Sequence, residues 1–152
     1  MHKDKVIESI LWSIALPGFA QLLNKKFLKG ILFIGLEILI NVQSNFNHII
    51  LLSFHGEIRQ AIETANYQWL MFYPCLYFFA MWDAYKDSIE QRLPYSYLPF
   101  VFSAYFVTVG LILSPSIILF GKLWGPVWLP MLFVIPGVLI GLIIRKGISY
   151  FT

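Results

Sequence analysis

The amino-acid sequence predicts an all-α fold: an integral membrane helical bundle of about four spanning helices, preceded by a re-entrant or interfacial N-terminal helix with a Pro-Gly turn. Three observations predict it. Hydrophobic residues fill 59% of the 152 positions and charged residues 12%, with a mean hydropathy of +0.72, whereas soluble chains carry roughly a quarter charged residues. The apolar residues fall in four long runs, at about 28–52, 67–85, 95–120 and 126–144, each long enough for the roughly 20 apolar residues that cross a bilayer as a helix. The runs are continuous and lack the alternation of membrane strands. No internal repeat, low-complexity tract or linker divides the chain, so one domain over 1–152 is expected.

The element before these runs is decided by the stretch LPGFAQLLNKKFLKG at 16–30. Residues 6–16 are too short to span. Pro17 cannot donate a backbone hydrogen bond and Gly18 readily takes left-handed dihedrals, so the pair can end a helix and reverse it. Glu8 fits a segment that stays shallow, near the headgroups, better than one crossing the core. Basic residues accumulate in cytoplasmic loops. If the chain turns back at Pro17-Gly18, then Lys3, Lys5, Lys25, Lys26, Lys29, Lys86, Arg92, Arg145 and Lys146 share the cytoplasmic side against Arg59 and Lys122 outside, nine to two. A spanning first segment gives seven to four with the N-terminus outside, and four to seven with it inside. The expectation is therefore a multi-pass protein of the cell membrane with both termini cytoplasmic. A cleaved signal peptide competes, since HKDK precedes an apolar run and Gly18-Phe19-Ala20 resembles a small-x-small cleavage site. Against it stand Glu8 inside that run and the three lysines that cleavage would strand outside.

The connections between the runs are SFHGEIRQAIETAN at 53–66, KDSIEQRLP at 86–94 and GKLWGP at 121–126. In the first, Ile58, Ala61, Ile62 and Ala65 fall at helical spacing, which fits a short amphipathic surface helix; an irregular loop fits equally. Tyr67 with Trp69, Trp82 with Tyr85, Tyr95 with Tyr97 and Trp124 with Trp128 sit near segment ends, where membrane interfaces collect such rings. Prolines 74, 99, 115, 130 and 136 lie in or at the ends of the apolar runs and shape packing by kinking helices.

The stretch PGFAQLLNKKFLKG with the later WDAYK at 82–86 resembles a Pro-Gly-x-Gly-Gln … Asn … Lys-Gly pattern of small bacterial membrane proteins, similar in style to the two-transmembrane-helix domain family. In that family a Gly-rich turn precedes a hairpin and an aspartate ends the second helix. The matching positions are Pro17, Gly18, Gln21, Asn24, Lys29, Gly30 and Asp83, with Ala20 departing from the second glycine. The resemblance covers about a third of the chain and implies an architecture, with no activity.

Among residues that carry chemistry, Glu37 stands out, eight residues past Lys29 and so about 12 Å along a helix rising 1.5 Å per residue. Glu37, Asn41, Ser44 and His48 follow at spacings that put them on one helical face, and Gln43, Asn45 and Asn47 broaden the outer end. Such an intramembrane polar stripe reads either as a pathway or partner-recognition site, or as ordinary interhelical hydrogen bonding. Asp83 is three residues from Lys86 and reads as an interfacial acid paired with it. His48 and His55 are seven apart with Glu57 beyond, a spacing unsuited to a metal on a helix, so neither metal nor cofactor is expected. No Gly-x-Ser-x-Gly, His-Glu-x-x-His or phosphate-cradling glycine loop occurs, and an enzyme is not expected. The net charge of +3 comes from short clusters beside apolar runs, which argues against nucleic acid. Cys75 is the single cysteine, so no internal disulfide forms.

Two function classes follow. One is a non-enzymatic scaffold or accessory subunit that recognises another membrane protein or a second copy of itself. The other is a small ion or solute transporter or channel that uses the Glu37 stripe and needs oligomerisation, because four spans leave little room for a pore.

Overall fold

The computed structural model describes residues 2–89 and 93–151. Arg92, counted above with the cytoplasmic basic residues, and the middle of the 86–94 connection lie outside the described residues. The described chain is mostly α-helical.

Helix α1 (His2–Ala15) ends where expected, one residue before a turn through Pro17 and Gly18, and α2 (Phe19–Leu23) follows. Gly18 takes φ 101°, a conformation that costs glycine little and other residues much. The chain reverses here, and contacts with α7 (Phe72–Ser88) show the reversal. Ser88 donates to Ser9 Oγ at 2.6 Å, Gln21 donates to the Ala80 carbonyl at 3.0 Å, and Lys26 pairs with Asp87. The segment thus starts at the Ser88 end of α7, reaches about 12 Å deeper at Ala80, and returns to the end it started from.

The expected run at 28–52 is two helices, α3 (Phe27–Ser44) and α4 (Phe46–Phe54). Asn45 separates them with φ 60°, the left-handed conformation that asparagine tolerates better than most side chains. Its side chain donates to the Thr64 carbonyl at 3.1 Å and so pins the break. The amphipathic reading of 53–66 is realised as α5 (Ile58–Thr64), which buries Ala61 completely. A short α6 (Tyr67–Leu70) leads into α7, and α8 (Leu98–Leu113) occupies part of the run at 95–120. The rest of that run differs from expectation. Ile118–Leu119 (β1) pairs antiparallel with Lys122–Leu123 (β2) around Phe120 and Gly121, both at positive φ, the left-handed pair that tight hairpin turns require. The last helix, α9 (Gly125–Phe151), extends past the expected end at 144 and carries Pro130 and Pro136 inside it.

Helices α8 and α9 form an antiparallel hairpin held by small residues. A Cβ added at Gly137 would stand 2.6 Å from Ser103 Cα, and one at Gly141 would stand 2.5 Å from Pro99 Cα. At the hairpin's open end Arg145 donates to the Pro94 carbonyl, and at its closed end Trp128 donates to the Ser53 carbonyl of α4. Helices α6 and α7 run alongside, with Tyr67 of α6 bonded to Ser114 at 3.0 Å and the rings of Tyr85 of α7 and Phe100 5.7 Å apart.

Of the four expected spans, α3 and α9 are long and apolar enough to cross a membrane, and α8 is a shorter apolar helix. The interior combines an apolar core, with Ile49, Leu70 and Leu129 fully buried, and many polar side chains, while the surface carries many large apolar ones. Ser9, Ser13, Gln21, Ser44, Ser53, Asp83, Ser88, Ser103 and Ser114 are buried, while Leu28, Ile31, Leu32, Ile38, Leu39 and Val42 of α3 and Met131, Ile135, Leu139 and Ile143 of α9 are exposed.

Candidate functional site

Two polar clusters join α3 to α7, and one periodicity builds both. Lys29, Phe33, Glu37 and Asn41 recur every four residues and so share a face of α3. Antiparallel to them, α7 presents Asp83, Ala80, Leu76 and Tyr73.

At one end of this seam lies Asp83, fully enclosed. Its Oδ1 accepts from Lys29 Nζ at 2.8 Å and Lys86 Nζ at 3.1 Å, and its Oδ2 accepts from Gln21 Nε2 at 3.3 Å. The pairing with Lys86 follows from the i,i+3 spacing; the bonds to Gln21 and Lys29 join residues 62 and 54 positions apart, which no local pattern encodes. The turn is clamped to the same place. Pro17 is fully buried, and a Cβ on Gly18 would lie 2.5 Å from the Gly30 carbonyl oxygen. A Cβ on Gly30 would strike Leu22 at 2.5 Å. The two glycines let backbone approach backbone, which presses α2 against α3 and brings Gln21 to Asp83. Asn24 caps α2 through its backbone N–H, bonded to the Ala20 carbonyl. The positions that carried the resemblance therefore converge in space, apart from any question of kinship.

At the second cluster Tyr73 donates to Glu37 Oε1 at 2.6 Å. Asn41 Nδ2 lies 3.3 Å from the Tyr73 hydroxyl, 3.1 Å from Asn47 Oδ1 and 3.5 Å from Glu37 Oε1. Ser44, though buried, turns its hydroxyl back to the Asn41 carbonyl, an intrahelical bond that serine commonly makes. The stripe expected from spacing ends there. His48 lies exposed on α4, beyond the left-handed break at Asn45, and does not continue the face of Glu37, Asn41 and Ser44. Tyr73 was absent from the expected set, because a tyrosine in an aromatic-rich run gives no signal that it will face an acid.

Between the clusters the seam is apolar. Phe33, Leu76 and Ala80 are buried in the same packed core, four residues from Lys29 and Glu37 on one helix and between Tyr73 and Asp83 on the other. Among the described residues no three His, Cys, Asp or Glu side chains come together in a way that could hold a metal ion. What the arrangement can do chemically is cross-link helices: each acid is met by donors from a second element.

Comparison of the chain with protein-family models, with curated proteins and with solved structures finds no match.

Proposed function

We propose that this chain is a non-enzymatic, multi-pass protein of the cell membrane, a scaffold or accessory subunit that recognises another membrane protein or a second copy of itself. Four spans, α3, α7, α8 and α9, stand behind a re-entrant N-terminal segment, and both termini are cytoplasmic. The exposed leucines and isoleucines over buried serines support a lipid surround, since helices in a bilayer associate through small and polar residues and leave apolar side chains to the lipid. The distribution of charge supports the orientation. Lys25, Lys26, Lys29, Lys86, Arg145 and Lys146 gather at the end of the bundle marked by Ser88 and Pro94, with Arg59 and Lys122 at the other. The turn at Pro17-Gly18 before α3 and Asp83 near the end of α7 are what the resemblance to the two-transmembrane-helix domain family implies, over about a third of the chain.

The preference for a scaffold over a conduit is carried by one observation: the buried layer of Phe33, Leu76 and Ala80 separates the Glu37 cluster from the Asp83 cluster. A conducting path needs continuous polar or wet lining, whereas a structural seam needs only satisfied pairs. Glu37→Gln and Glu37→Leu test this. In the scaffold reading the Gln form keeps the hydrogen bond to Tyr73 and matches the parent in stability and co-purifying partners, while the Leu form loses both. A pH-dependent cation flux in liposomes that disappears in Glu37→Gln, with fold and oligomeric state intact, would replace the scaffold with the transporter.

A further inference from the structure

An open groove of about 940 Å³ runs between α3 and α8 with α7 as its floor. Phe33, Phe79, Trp82, Phe100 and Ala104 line it, with Cys75 towards its deeper end. Its lining is apolar, yet both of its α3 and α7 walls finish in a lysine at the same mouth. On α3, Lys29 lies one helical turn before Phe33. On α7, the Lys86 ammonium stands 4.6 Å from the centroid of the Trp82 ring. Both ammonium groups reach Asp83 Oδ1, so two cations share one anion and the mouth keeps a net positive charge. Asp87, the other acid nearby, is matched by Lys26 and does not cancel it.

An apolar channel of this size ending in a tryptophan and an excess of lysine is complementary to one kind of molecule, an anionic amphiphile. Acyl chains satisfy the groove, and a phosphate at the mouth takes hydrogen bonds from ammonium groups that Asp83 holds in place. We propose that this groove is a binding site for a phospholipid with an anionic headgroup, its chains against Phe33, Phe79 and Ala104 and its phosphate at Lys29 and Lys86. The proposal rests on the membrane reading above.

Cys75 supplies the probe, since it is the only cysteine in the chain and is exposed in the groove. The full chain, labelled there with a small fluorophore, is reconstituted into phosphatidylcholine vesicles containing a minor fraction of either brominated phosphatidylglycerol or brominated phosphatidylcholine. Brominated phosphatidylglycerol is expected to quench at a lower fraction than brominated phosphatidylcholine. Lys86→Gln is expected to weaken that advantage about five-fold, the equivalent of one lysine contact at a membrane surface. Lys122→Gln removes the same charge from the opposite end of the bundle and is expected to leave the advantage intact, and soluble glycerol phosphate is expected not to displace the lipid. Equal quenching by the two lipids, or an advantage indifferent to Lys86→Gln, overturns the site while leaving the membrane reading in place. Displacement by glycerol phosphate overturns the lipid as occupant in favour of a bare phosphate. Quenching by neither lipid overturns the membrane reading itself.

Discussion

Gly137 and Ser103 sit so close that their helices touch backbone to backbone: a methyl group on the glycine would stand 2.6 Å from the serine Cα. Gly141 meets Pro99 in the same way one turn along. The α8–α9 hairpin is thus built on absent side chains, as in the small-residue interfaces that let membrane helices approach closely.

Gly137→Ala is therefore expected to destabilise the protein by about 1–3 kcal/mol, because the new methyl can be relieved only by moving backbone. Gly147→Ala, on the same helix with nothing within 4 Å, is expected to be neutral or to stabilise by up to about 1 kcal/mol through helix propensity. Thermal unfolding in detergent measures both. Equal melting temperatures for the two variants would contradict the close approach.

At the other end of the bundle, Asp83 is the acceptor that holds the N-terminal segment. Asp83→Leu is expected to cost about 1–3 kcal/mol, mainly by leaving the buried Gln21 amide with only the Ala80 carbonyl. Asp83→Asn is expected to cost less, since it still offers Gln21 an oxygen. The released Lys29 and Lys86 ammonium groups are partly exposed and return to water, so the loss of charge itself adds little. A denaturation series in which the Asn form loses as much as the Leu form would assign the role of Asp83 to its charge.

Sidedness is checked with single cysteines in a Cys75→Ser background. Those at Lys5, Lys25 and Lys146 are expected to stay protected from an impermeant thiol reagent in intact cells, and those at Gly56 and Phe120 to react. Phe120 is 95% exposed at the tip of the hairpin, so its accessibility reports the side of the membrane and not local packing. Labelling at Lys5 combined with protection at Lys25 would mean that the first segment crosses.

The helical class was legible because continuous apolar runs admit little else, and the reversal at Pro17-Gly18 was legible because both residues restrict the backbone in ways that do not depend on context. The polar stripe was half legible. Four-residue spacing correctly put Glu37 and Asn41 on one face, but spacing assumes an unbroken helix, and the left-handed Asn45 removed His48 from that face. The hairpin at Phe120-Gly121 was hidden inside an apolar run, since β1 and β2 are two residues each and too short for any alternation to show. Gln21 and Lys29 meeting Asp83 could not be read locally, because that contact depends on how α2, α3 and α7 pack. The spacing of Gly137 and Gly141, four apart on α9, was the available signal for the tight hairpin.

The bond from Gln21 to the Ala80 carbonyl spans 59 residues, and this separation sets an order of events during synthesis. When the Pro17-Gly18 turn leaves the ribosome, its anchoring acceptors do not yet exist, and they arrive only after α3 through most of α7 have been made. Until then Gln21, Lys26 and Lys29 lack the partners that Ala80, Asp83 and Asp87 supply in the folded chain. The segment can dock only once α7 has been made, although it is translated well before it, and a truncated chain ending before Asp83 is expected to leave it undocked.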